Sequence, residues 1–114
     1  MAKQSSLGDF EQLVILALLR IGEGAYGMLV RREIEERTGR VVSLGAIYAT
    51  LDRLESKGMV SSTIGGSGSN RRGRAKRFFT VEPPGRAALI RALNALDAMR
   101  SGVTGLEPNA EVGP

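Results

Sequence analysis

The chain has 114 residues, enough at roughly 100–200 residues per domain for one domain and a short tail, and too few for a two-domain enzyme. Hydrophobic residues make up 42% and charged residues 25%, which excludes a disordered acidic chain and a collagen-like repeat. The net charge of +4 conceals a local bias: residues 56–81 hold Lys57, Arg71, Arg72, Arg74, Lys76 and Arg77 and no acid, so the other 10 basic residues are outnumbered by 12 acidic ones.

The first predicted element follows Asp9, placed as an N-cap, where Phe10, Leu13, Val14, Ala17, Leu18 and Ile21 recur at helical spacing. Gly22, Gly24 and Gly27 then punctuate the chain. A second helix carries Tyr26, Leu29, Val30 and Ile34 on its apolar stripe. On its far side Arg31, Arg32, Glu35 and Glu36 form two pairs at i, i+4, and Thr38 and Gly39 end it.

Ser43 is the next N-cap, followed by Leu44, Ile47, Leu51 and Leu54 in a third amphipathic helix that stops near Gly58. Its opposite face is low, because Gly45, Ala46, Ala49, Asp52, Arg53 and Ser56 point away from the apolar stripe, with Tyr48 at the border.

Two short segments, Met59 to Ile64 and Lys76 to Val81, are rich in β-branched and aromatic residues. The stretch GGSGSNRRGRA between them predicts a hairpin with a long, mobile, basic tip. Pro83 and Pro84 open a last helix rich in strong helix formers. On it Leu89, Ala92, Leu96, Met99 and Val103 follow a 3-4 repeat, and the residues beyond Gly102 have no period and read as disordered. The expected organisation is a domain over residues 7–82, a C-terminal helix over 83–102 and a tail over 103–114.

Catalytic chemistry finds little support. The chain has no Cys and no His, which removes disulfides, thiolate and imidazole metal ligands and the commonest general base. No paired-carboxylate or nucleophile-elbow motif is present, and neither a metal nor a cofactor is called for. Gly22, Gly24 and Gly27 spell G-x-G-x-x-G, but the second strand with its terminal acid that a dinucleotide site needs does not follow. The longest apolar run, Leu13 to Leu19, is shorter than the roughly 20 residues of a membrane span, so a cytoplasmic protein without a membrane partner is expected.

Three helices followed by a hairpin describe an α+β, mainly helical fold, a winged helix-turn-helix. A helix with small residues outward can enter the major groove of duplex DNA while a basic loop beside it reaches phosphates. The residues VILALL, GEGAYGMLVRREIEERTG, SLGAIYATLDRLESKGMV and KRFFTVEPPGRAAL together resemble the PadR-like family of bacterial transcriptional regulators. That resemblance implies a winged-helix homodimer that represses transcription, often relieved by a small-molecule effector, with the C-terminal helix supplying dimer contacts.

Carried over by position, the resemblance puts Ser43, Gly45, Tyr48 and Arg53 near DNA, Lys57 on the backbone, and Arg71, Arg72 and Arg74 in the wing. Ala46, Ala49 and Lys76 join them from the helix face and the basic run. Tyr48 suits DNA contact and packing between helices alike, and Arg53 suits guanine recognition or a surface pair with Glu55. Leu89, Leu93, Leu96 and Met99 would meet Phe10 and Leu13 of the first helix, either within one core or across a dimer seam. Two further readings stand beside DNA binding: a ligand-sensing dimer module and a protein-interaction adaptor on the same scaffold.

Overall fold

The computed structural model describes residues 6–65 and 76–107. Among them the order is α1 (Asp9–Ile21), α2 (Gly27–Thr38), α3 (Leu44–Ser56), β1 (Val60–Gly65), β2 (Lys76–Val81) and α4 (Pro83–Arg100). The expected α+β, mainly helical architecture is present. The hairpin tip and the tail beyond Glu107, both read from sequence above, lie outside the described residues.

Helix α1 begins one residue earlier than a cap at Asp9 predicts. Gly8 is the cap, and its N–H donates to Glu11 Oε1 at 3.0 Å, satisfying one of the amide donors a helix start leaves open. The helix packs against α2, α3, α4 and β2, so its most buried residues are Glu11, Val14, Ile15, Ala17 and Leu18. Ile15 is fully buried, whereas Phe10, Leu13 and Ile21 lie half-exposed at the edge. The buried stripe is therefore rotated slightly from the predicted one, because a helix with neighbours on several sides has no single apolar face.

Gly39 ends α2 in the left-handed conformation, φ 74°, with its N–H donating to Glu35 O at 2.9 Å. Ser43 caps α3, its hydroxyl accepting from the Ala46 N–H at 3.0 Å. Val30 and Ile34 of α2 meet Ile47, Leu51 and Leu54 of α3 in the core beneath α1.

The hairpin pairs Val60 with Val81 through Gly65 with Lys76. Its first strand starts one residue later than predicted, since the Met59 N–H still donates to Leu54 O and belongs to the exit from α3. A third segment joins this sheet: Tyr26 bridges Phe78, and the Phe79 N–H donates to Ala25 O at 2.9 Å. The link between α1 and α2 therefore fastens the wing to the helical body.

Pro83 and Pro84 occupy the first turn of α4, where a missing N–H costs nothing. Gly85 lies so close to the Met59 carbonyl that a Cβ there would run into its oxygen. Ala88 and Leu89 complete the core, and beyond them the helix projects with Ile90, Leu93, Leu96 and Met99 exposed. It ends at Arg100, so Val103 lies past the helix on which the predicted seam runs. Among the described residues no helix is long and apolar enough to cross a membrane.

Candidate nucleic-acid interface

The apolar residues of α3 fix which side of it meets solvent. Ile47, Leu51 and Leu54 are wholly buried, and this turns Gly45, Ala46, Ala49, Asp52 and Arg53 outward as the periodicity required. No large side chain stands on the first two turns of that face, so an approaching surface can come close to the backbone. Ser43 is exposed at its head, with one lone pair of its hydroxyl occupied by the cap.

Tyr48 packs. Its ring lies 6.4 Å from that of Phe79 and against Gly27, where an added Cβ would come 2.6 Å from the tyrosine hydroxyl oxygen. The hydroxyl is thus held beside the first residue of α2 at the border of the exposed face.

Arg53 does not pair with Glu55. Its Nε donates to Glu11 Oε2 at 3.2 Å and its Nη2 to Thr50 Oγ1 at 3.3 Å, while the side chain stays 53% exposed. Lys57 donates to the same carboxylate, at 3.0 and 3.2 Å. Burial pushes the Glu11 carboxyl up, but hydrogen bonds from the Gly8 N–H, Lys57 and Arg53 outweigh this and hold it below its ordinary value of 4.5. One buried acid on α1 therefore gathers two cations from the last turns of α3.

Glu55 instead faces the wing. The Ser62 hydroxyl donates to it at 2.9 Å and Arg77 closes on it with Nη2, which together hold its carboxyl below the ordinary range. Arg77 Nη1 also pairs with Asp52 at 2.8 Å, and its guanidinium carbon lies 4.7 Å from the centre of the Phe79 ring. Lys76, by contrast, is exposed, with its ammonium 4.3 Å above the Tyr26 ring. Arg71, Arg72 and Arg74 lie outside the described residues.

Sequence reasoning missed Glu11 and Arg77. Glu11 left a signal, because it falls on the buried stripe with Val14, Ile15 and Leu18, and an acid on such a stripe needs a cation. Arg77 left none, being the last member of a basic run that reads as meeting nucleic acid rather than the acids of α3.

The family model "Transcriptional regulator PadR-like family" matches residues 15–91, which covers the second half of α1, all of α2 and α3, the wing and the start of α4. The chain belongs to the PadR-like family. A curated relative, the transcriptional regulator Rv3488 of Mycobacterium tuberculosis, is 36% identical over 83 residues, covering 70% of each chain. Among solved structures, H. salinarum RosR has a TM-score of 0.66 at 23% identity over 91% of this chain and 86% of that one. A PadR family regulator from Eggerthella lenta has a TM-score of 0.65 at 23% identity, over 86% and 83%. The protein is accordingly a winged-helix transcriptional regulator and not an enzyme.

Proposed function

We propose that this PadR-like protein acts as a homodimeric repressor on a pseudopalindromic duplex DNA operator. The observation that carries the reading is the exposed face of α3, where Gly45, Ala46 and Ala49 leave the backbone approachable beside a wing whose tip carries three arginines. A helix so stripped of bulk fits the major groove, and cations on the adjoining loop fit phosphates. Ser43, Tyr48 and Arg53 border the groove-facing surface, Arg53 keeping part of its guanidinium outward. Lys57 and Lys76 contribute charge from the flanks.

The dimer seam is α4. Leu93, Leu96 and Met99 stand exposed on it, Leu96 at 60% and Met99 at 79%, too much apolar surface in one row for a lone chain of this size. Leu7 and Gln12 line a groove with Ala88, Ala92, Ala95 and Leu96 alongside that row. We assign Phe10 and Leu13 of α1, partly buried against the core, to the same seam, while Leu89 serves the intrachain core and roots the helix. Two such subunits present their α3 helices about one helical turn of DNA apart.

The available aromatics are engaged within the chain: Tyr26 with Phe78, Tyr48 with Phe79, and Phe10 beneath Arg40. An effector, where one acts, meets aliphatic surface along α4 rather than an aromatic cage.

The test is a titration of labelled duplex from the region upstream of the protein's own gene against random-sequence duplex, at two salt concentrations, with sedimentation to give the mass. Tight binding by a dimer, preference for the upstream duplex and a steep fall with salt support the reading. A monomer that ignores both duplexes at low salt overturns it.

A further inference from the structure

Arg77 belongs to the wing by sequence and to α3 by contact. The register places Arg77 opposite Ile64 and Phe79 opposite Ser62, so the four side chains share the face of the hairpin that looks toward α3. There each nitrogen of the guanidinium has an acceptor: Nε with Ser62 Oγ at 3.2 Å, Nη1 with Asp52, and Nη2 with Glu55. Asp52 and Glu55 stand three residues apart on α3 and so lie side by side. The planar fork of an arginine spans both at once, which the point charge of a lysine cannot do. The Phe79 ring lies against the same guanidinium and also against Tyr48 of α3.

We propose that Arg77 is a positioning residue for DNA recognition: it ties the strands of the wing to α3 through Asp52 and Glu55, setting how they stand against the helix when it is seated, without touching DNA itself. Its side chain is only 32% exposed, and its three nitrogens are already committed to the tie. The tie acts on specificity. With wing and helix held at a fixed separation, phosphate contacts and base contacts form together only where the sequence lets the helix seat. With the tie cut, the wing finds phosphates on any duplex.

This inference rests on the DNA-binding reading above, and the experiment separates the two. Duplexes selected by the wild-type protein from a random-sequence pool, and a scrambled duplex of the same composition, are titrated with Arg77→Met and with Asp52→Ala/Glu55→Ala. Both variants are expected to lose about tenfold of the preference for the selected duplex. On the scrambled duplex Arg77→Met keeps the wild-type salt slope, whereas a cation that had neutralised a phosphate would lower it by about 0.9 on removal.

The acid variant is decisive in sign. It removes negative charge from the DNA-facing side, so charge alone raises its affinity for every duplex and leaves the preference intact. Only a tie makes it lose preference. Amide hydrogen exchange on the free proteins supplies the readout that needs no DNA: faster exchange across 60–65 and 76–81, with α3 unchanged, is expected in both variants. Should Arg77→Met not fold, Arg77→Lys, which reaches one carboxylate at a time, is expected to move every readout in the same direction by less. Equal losses on both duplexes with a lower slope, or unchanged exchange and preference, overturn the proposal. A wild-type protein that selects no consensus sequence overturns the DNA reading, and exchange alone then decides the tie.

Discussion

The Glu11 carboxylate lies 3.0 Å from the Lys57 ammonium, joining the first turn of α1 to the C-cap of α3 across 46 residues of sequence. Because Gly8 and Arg53 share the same carboxylate, Glu11→Gln leaves two cations and a helix-start amide with a weaker acceptor. The variant is expected to lose about 1–2 kcal/mol in urea unfolding at neutral pH. Glu11 titrates below 4.5 in the folded chain, so its contribution is full above that value and is lost as pH falls through the folded value. The gap between wild type and variant should close in acid; a gap independent of pH would show that Glu11 acts by packing alone.

Two glycines should respond oppositely to the same change. A methyl group at Gly85 meets the Met59 carbonyl and forces α4 away from the exit of α3, so Gly85→Ala is expected to cost about 2–3 kcal/mol. At Gly45 the nearest atom to an added Cβ is Ser43 Oγ at 4.0 Å, and Gly45→Ala should stabilise α3 by up to about 0.5–1 kcal/mol. That variant should also alter which duplex is preferred, since the methyl group rises from the exposed face. Thermal melts and binding-site selection check both.

Removing cations from the wing tip should weaken binding without redirecting it. Arg71→Ala with Arg72→Ala is expected to reduce affinity for specific and random duplexes alike, lowering the salt slope by about 0.9 for each phosphate left without its cation. Ala49→Gln should instead change the sequence selected and leave the slope in place. Equal effects of both changes on the two duplexes would sink this division of labour.

Along α4, position decides whether an apolar residue serves the chain or its copy. Leu96→Glu, at an exposed site, should leave the melting temperature of the folded subunit nearly unchanged and convert a dimer to a monomer in sedimentation. Leu89→Ala, at a site only 3% exposed, should cost about 2–5 kcal/mol of subunit stability. A Leu96→Glu protein that still sediments as a dimer places the seam elsewhere.

The parts of the fold that could be read from sequence are those set by local chemistry. Ser43 caps its helix through its own hydroxyl, Gly39 takes the left-handed turn, and Pro83 and Pro84 open α4, each decided within a few residues. The low face of α3 followed from periodicity. The partners of Arg53, Lys57 and Arg77 did not. Arg53 stands two residues from Glu55 in sequence, yet successive helical residues diverge, and the acid it meets comes from α1, 42 residues away. Tyr48 is the intermediate case: its border position was legible, but the packing of its ring on Gly27 depends on how closely α2 and α3 approach.

The bridge from Tyr26 to Phe78 makes β2 the middle of three extended segments, leaving β1 as the open flank of the wing sheet among the described residues. That flank runs Val60, Ser61, Ser62, Thr63, Ile64, Gly65, with Ser61 bonded to Glu82, Ser62 to Glu55 and Ile64 exposed. Short, hydroxyl-lined from Ser61 to Thr63 and tied back at both serines, it is a poor template for strand addition over that stretch, Ile64 being its one exposed large apolar residue. The wing can therefore extend from the body on a narrow hairpin without inviting the sheet-to-sheet association that an apolar outer strand would promote.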